Sequence, residues 1–459
     1  MKFKEKKRSP YRFLFIIVTF ALIGAAAYLY LSPAFEQNKP NIKAPSSIYW
    51  NLKQNINITL TDDSGIKYYK VTFVDDGKSI ELAQKVIKDI KKQINISIAP
   101  PKLDMFYKGK NSHLVIEAVD NSKWNFLEGN RVVKTIDVKI DTKKPIANVI
   151  DNSRYIQRGG SAVVIAKVED ENLKDFYIEF NGKARFKLQP FYKQNYYIAL
   201  IAWPIDIEQF NRVNLVAIDK ANNKTITKVP FYVKNKRIKI DNIKLTNRFI
   251  DTISKDVLEQ SFHKVPKQSK DIFIYSNTKL RAENIKTIKE VADKNFSYEK
   301  IDDFKLKPFK RHRGSKTVAN YADRRHYYLN GQKINEAWHL GIDWASVKKS
   351  PIIVSNDGKV IFKDYLGLYG NSIIIDHGMG LATLYAHTST QNVELGDNVK
   401  RGQKIANTGS TGAVFGDHLH FGLLIQGYEV NPMEWMDKNW IKVCITNVIK
   451  NGKKQIDGK

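Results

Sequence analysis

At 459 residues the chain is too long for one ordinary hydrophobic core, so about two to four domains are expected, and 42% hydrophobic with 11% aromatic residues excludes a largely disordered polymer. A net charge of +28 would suit a polyanion, but the lysines are scattered through Asn- and Ile-rich stretches, the pattern of a solvated surface and not of a nucleic-acid patch. Cys444 stands alone, which rules out an intrachain disulfide and a cysteine-based metal cluster.

Residues 1–12, MKFKEKKRSPYR, are strongly basic and are followed by 13–35, FLFIIVTFALIGAAAYLYLSPAF, without a charge. About 20 apolar residues span a bilayer, and the absence of a polar face argues against a buried core helix. The basic flank stays cytoplasmic by the positive-inside rule, which leaves everything after Pro33 outside. Ala25-Ala26-Ala27 resembles a cleavage site, yet the apolar run continues through Tyr28 to Leu31, so an uncleaved, single-pass anchor in the cytoplasmic membrane is expected. The bulk of the chain then lies in the periplasm or cell-wall space, where nucleic acid is no partner.

From residue 40 to 236 the texture changes to short alternating strands broken by Asp, Asn and Gly turns. The segment from Pro40 to Phe73 parallels that from Pro145 to Phe180, and LVIEAVDNSKWN from Leu114 parallels NLVAIDKANNK from Asn214. A repeat of about 100 residues built of short strands predicts two immunoglobulin-like β-sandwiches, 40–143 and 144–236, read as spacers or as surfaces for envelope proteins. Tyr49, Trp50, Trp124 and Trp203 are expected in their cores instead of on a carbohydrate platform. Residues 245–303 then read as a helical connector, with Ile272, Tyr275, Leu280, Ile285, Ile288 and Val291 at helical spacing.

The chemistry falls in 304–446, ahead of a basic tail at 447–459. Five of the nine histidines, His339, His377, His387, His418 and His420, lie in this region between residues 339 and 420. In HLGID, His339 and Asp343 share one face of an extended chain with Gly341 midway; in HLH, His418 and His420 do the same. His387 closes the apolar run from Leu381. A catalytic zinc takes three protein ligands and leaves one position open, so four imidazoles and a carboxylate provide a ligand set plus two groups for proton transfer and charge stabilisation. No HExxH helix occurs.

HLGID, GLYGNSIIIDHGMGLATLYAHTS and ELGDNVKRGQKIANTGSTGAVFGDHLHFGLLIQG together resemble the lysostaphin/LytM-type zinc metallopeptidases, over about residues 313–436. The resemblance implies an antiparallel β-sheet domain of the duplicated hybrid motif type, crossed by a groove. It also implies Zn2+ held by His339, Asp343 and His420, His387 and His418 as the two catalytic imidazoles, and peptide stems of peptidoglycan as substrate. Gly367–Asn371 and Gly409–Gly412 match the groove-wall loops. The sequence departs from the family pattern at Val347–Pro351 and at Gly422, neither a ligand position. Some family members are latent, with an asparagine on the zinc; Asn320, Asn330 and Asn335 are the nearby candidates. Asp323-Arg324-Arg325 reads as a turn or salt bridge. The expected activity is a membrane-anchored peptidoglycan metalloendopeptidase, possibly of D,D type; the alternative is a catalytically silent activator of another wall hydrolase.

Overall fold

A computed structural model describes residues 10–103, 107, 111–234 and 237–458, so most of the basic N-terminal segment lies outside the described residues. The chain is mainly β and divides into two compact units, residues 1–144 with 219–223, and 145–218 with 224–459. The first begins with a helix, Pro10–Leu31, none of whose residues is buried and which is long and apolar enough to cross a membrane.

Behind that helix two sheets close on one core. Asn41–Lys43, Ile56–Thr61 and Gln93–Ile98 form the first sheet; Ser47–Trp50, Arg131–Ile140, Ser112–Asp120, Ile66–Asp75 and Lys78–Val86 form the second in that order. The alternation in SHLVIEAVD sends Leu114, Ile116 and Ala118 inward against Phe73 and Trp50. Ser47–Trp50 pairs parallel with Arg131–Ile140 while the rest of the sheet is antiparallel.

The second copy repeats this layout in the other unit. Ile146–Asn152, Ser161–Glu169 and Tyr196–Ala202 are neighbours in one sheet. Lys224–Val229, Val213–Asp219, Leu173–Phe180 and Ala184–Phe186 make the other, and Tyr155–Gln157 again pairs parallel with a late strand, Tyr232–Lys234. A polar clasp recurs as well. The side chain of Asn130 donates to Asp120 and to the carbonyl of Glu36, as that of Asn223 does to Asp219 and the carbonyl of Asp141. Trp50 and Trp203 are core residues as expected, but Tyr49 and Trp124 are not: strand alternation turns half-buried Tyr49 away from Trp50 and under Lys139 and Lys220, and Trp124 sits in an exposed turn, 38% accessible.

The expected connector is helical from Asn247 to Gln260 and from Ser269 to Lys294, with π-helical turns at Ile250–Ser254 and Ser276–Leu280. It packs on the region that follows. Leu245, Ile250, Leu258, Phe273 and Leu280 pack on Tyr327 and Leu329, and the strand before it, Ile240–Leu245, pairs parallel with Arg324–Leu329. The last segment, read as a basic tail, is a helix over Asn447–Ile456 that buries Val448, Ile449 and Gly452, the i, i+1, i+4 stripe of an amphipathic helix, and Gly452 leaves room only for Ile165.

The C-terminal β region is built on an eight-stranded sheet. Three adjacent strands matter most: β1 (Ile342–Ala345), β2 (Leu381–Ala386) and β3 (Leu419–Ile425), with β3 antiparallel between the other two. One hydrophobic core runs from this sheet, through Leu423, Ile425 and Trp435, into the second sandwich at Ile165, Leu200 and Ile201.

Candidate metal centre

Register brings the chemistry together. His420 on β3 stands opposite Asp343 on β1 and Ala386 on β2, so His387, the next residue after β2, lies beside it. His339 enters just before β1, held by its N–H to the carbonyl of Asp323 and by its carbonyl to the N–H of Ala322. Gly341 is obligatory here: a Cβ would stand 2.5 Å from Nε2 of His420.

His339 Nε2 lies 3.0 Å from Asp343 Oδ1, His420 Nδ1 lies 2.9 Å from the same oxygen, and the two nitrogens are 3.2 Å apart. These three buried residues form a group able to hold a metal ion. Nδ1–H of His339 donates to the backbone carbonyl of Asn320 at 2.8 Å, the tautomer that leaves Nε2 to present a lone pair. A ring nitrogen 3.0 Å from a carboxylate oxygen calls for a proton or a metal cation between them, and the donor set fits a metal. Two imidazoles and one carboxylate are a zinc-type set.

His387 and His418 complete the cluster without joining the group. Their rings are 4.9 Å apart, and His418 Nε2 is 3.7 Å from Asp343 Oδ1. Each is oriented by a backbone carbonyl at Nδ1, Thr411 for His387 at 2.9 Å and Gly416 for His418 at 2.8 Å, which turns both Nε2 atoms toward the cluster. Burial alone would raise the Asp343 carboxyl, but the imidazoles, His339 foremost, hold it well below the usual range. Burial, then the neighbouring His418 and His420, keeps His387 neutral far below its ordinary value. Burial also pushes His420 down to about 4, whereas at His418 the Asp343 carboxylate outweighs burial and raises the imidazole. The two outlying histidines therefore differ in basicity.

The groove-wall glycines interlock. Gly370 (φ +61°) and Gly412 (φ +80°) approach so closely that a Cβ on Gly412 would lie 2.4 Å from the Gly370 nitrogen. That contact fixes the loops whose carbonyls, Tyr369 and Thr411, bind the backbone and ring of His387. Above the cluster lies a cavity of about 480 Å³ whose far wall is the helical segment, through Phe249, Phe273 and Arg281, with Phe415 stacked on Phe249 at 4.3 Å.

One neighbour of the cluster was not legible as such in the sequence. Arg325, read as part of a turn or salt bridge, donates to Asp343 Oδ2 at 3.0 Å from the strand Arg324–Leu329; its only sequence signal was its position ahead of HLGID. Of the three asparagines, Asn320 meets the cluster through its carbonyl, Asn330 forms a hairpin turn and Asn335 bonds Asn277 and Glu336. His377 is spent on the Asp357 carbonyl and the Thr383 hydroxyl.

Residues 337–432 match Peptidase family M23. The C-terminal region carries an M23 domain. Within it the chain is 44% identical over 95 residues to the DD-carboxypeptidase/endopeptidase Mpg of Neisseria meningitidis, covering 21% of this chain and 22% of that one. It is 40% identical over 96 residues to the peptidoglycan DD-endopeptidase ShyA of Vibrio cholerae, covering 21% and 22%. To the murein hydrolase activator NlpD of Escherichia coli it is 41% identical over 103 residues, 22% and 27% of the two chains. The chain thus spans only about a quarter of the length of these relatives. The catalytic domain of lysostaphin from Staphylococcus simulans is 28% identical, with 28% of this chain and 98% of that one covered and a TM-score of 0.23.

Proposed function

We propose that this protein is a zinc-dependent peptidoglycan peptidase, a D,D-endopeptidase by its likeness to Mpg and ShyA, held by its N-terminal helix at the outer face of the cytoplasmic membrane and carrying two immunoglobulin-like modules. The observation that carries the reading is the convergence of three ligand atoms and two further imidazoles on the floor of one cavity in an M23 domain. His339 through Nε2, Asp343 through Oδ1 and His420 through Nδ1 would hold zinc. When bound, zinc polarises an amide carbonyl and lowers the pKa of a water toward about 7.

The chain's own groups divide the remaining work. His387, neutral and fixed by the Thr411 carbonyl, accepts a hydrogen bond at Nε2 and orients the attacking water. His418, more basic through Asp343, carries a proton at Nε2 that stabilises charge growing on the carbonyl oxygen and is available to the leaving amine. Phe249, Phe273 and Phe415 exclude water from one side of the peptide. The full chain in detergent, supplied with zinc and purified cross-linked sacculi, should convert dimeric muropeptides into monomers by cutting the D-alanyl–diaminopimelyl bond, read by mass analysis. Unchanged sacculi would sink the proposal.

The likeness to NlpD supports a second reading, a silent activator. A protein that purifies without zinc, releases nothing alone and speeds an amidase would favour it.

Arg325 bears on the first reading. Its guanidinium occupies Oδ2, so Asp343 presents a single oxygen to the ligand group. Arg325→Met frees that carboxylate to rotate. Loss of such a support weakens metal binding by about 10–100-fold; relief of repulsion between guanidinium and cation offsets part, so about tenfold is expected. Competition against a zinc chelator measures it, and Arg325→Lys should recover part of the loss.

A further inference from the structure

The first unit carries a feature unused by the peptidase reading. Its loops at 62–66, 87–92 and 121–130 form one pole, stitched by Asn121 N–H to the Gly65 carbonyl, Ile66 N–H to the Lys91 carbonyl and Asp62 N–H to the Lys92 carbonyl. The chain leaving the apolar helix arrives at this pole. Lys123 N–H donates to the Ala34 carbonyl at 2.7 Å, and Ser122 Oγ and Asn130 Nδ2 donate to the carbonyl of Glu36 at 2.6 and 2.8 Å.

From this pole large apolar side chains point into solvent: Phe126 is 98% exposed, Ile90 74%, Leu127 65% and Trp124 38%. The conformation is costly in itself. Asn125, Phe126 and Leu127 hold φ of 55°, 55° and 72° in succession, a region that bulky residues rarely adopt. The turn is locked by Leu127 N–H to Lys123 O and Gly129 N–H to Trp124 O, and Lys67 Nζ binds the carbonyls of Leu127 and Glu128. Exposed Lys88, Lys91, Lys92 and Lys123 surround the apolar tip, against Asp63, Asp89 and Glu128.

We infer that this pole is a lipid-facing foot: the loop Trp124–Leu127, with Ile90 beside it, inserts into the headgroup layer of the membrane that holds the N-terminal helix, and its lysines meet anionic headgroups. The inference rests on the reading of Pro10–Leu31 as a retained anchor. Height supports it. The helix ends at Leu31 and the loop is bonded to Ala34, three residues on, a reach of about 10 Å at most, while the polar layer of a bilayer is about 5–8 Å deep on each side. The loop is therefore tethered within reach of the interface, where Trp rings favour the headgroup level and apolar side chains enter the acyl boundary. A glycan strand is the other conceivable occupant of Trp124, but the aliphatic Ile90 and Leu127 offer it no hydrogen bonds.

Spin labels on the full chain in vesicles of phosphatidylethanolamine and phosphatidylglycerol test this. Phe126→Cys, Phe20→Cys in the helix and Lys78→Cys on the hairpin at the far end of strand Ile66–Asp75 give three sites; Cys444 is buried and the unsubstituted chain serves as the labelling blank. Phe126 is almost wholly exposed, so its replacement leaves the fold intact. Collision with a water-soluble nickel chelate should be several-fold lower at 126 than at 78, and collision with oxygen higher. Equal nickel access at 126 and 78 with a lipid signature at 20 overturns the foot and leaves the anchor standing. A water signature at 20 as well overturns both. Protection at 126 that appears only when sacculi are added overturns the foot in favour of glycan.

Discussion

His420→Ala is expected to abolish stoichiometric zinc binding, whereas His418→Ala keeps the metal and loses turnover. His420 Nδ1 lies 2.9 Å from Asp343 Oδ1 and 3.2 Å from His339 Nε2, so its removal leaves two ligands, below the three a catalytic site requires. His418 touches that group only at 3.7 Å, and its ring is held by the Gly416 carbonyl. Its loss removes a proton-handling group, which costs about 10²–10⁴-fold in kcat, without opening the ligand set. His387→Ala should behave like His418→Ala. Metal content by elemental analysis and muropeptide release on the same preparations separate the outcomes. Zinc retained by His420→Ala, or full activity of His418→Ala, would refute the division of roles.

A fragment beginning at residue 304 should fail to fold on its own, while residues 145–459 fold and unfold as one cooperative body. The M23 domain and the second sandwich share a continuous core. Trp435 is fully buried and its indole N–H donates to Ser161 Oγ at 3.0 Å. Glu434 beside it, also buried, accepts from the Ser161 amide at 2.8 Å and from Gln157 at 2.7 Å. Gln426 exchanges two hydrogen bonds with the backbone of Lys187 at 2.8 and 2.9 Å. Cutting at 304 strips these partners and bares an apolar face together with a carboxylate that the sandwich had satisfied. Within the longer chain, Trp435→Ala should cost about 3–5 kcal/mol, a large share of a typical stability of about 5–15 kcal/mol. Thermal melts and limited proteolysis report both effects; a sharp, reversible transition for residues 304–459 would show the shared core to be dispensable.

Much of this was legible in the sequence, for physical reasons. Period-two alternation carries face information, so HLGID and HLH could each be read as presenting two polar groups on one side of a strand. The repeat was legible through its acidic strand ends, and Asp120 and Asp219 indeed head the same clasp. What remained hidden depended on partners distant in the chain. Arg325 meets Asp343 because two strands fold back on each other, and nothing local to RR announces it. Trp124 was expected in a core because aromatic residues usually bury; three successive left-handed residues turn it outward. The last segment, rich in lysine, hid Val448, Ile449 and Gly452 among its charges. The helical segment was legible as helix, yet its role as a cavity wall depends on Tyr327 and Leu329, which sequence spacing does not place beneath it.

The contact between Gly370 and Gly412 also constrains how such a protein can diverge. A Cβ on Gly412 would meet the Gly370 nitrogen and one on Gly370 would meet the Thr411 carbonyl, so neither position can acquire a side chain while the facing loop stays in place, and two walls of the cleft are locked to a single width. Variation in the cleft would then accumulate on the opposite wall, where Phe249 and Phe415 contribute side chains.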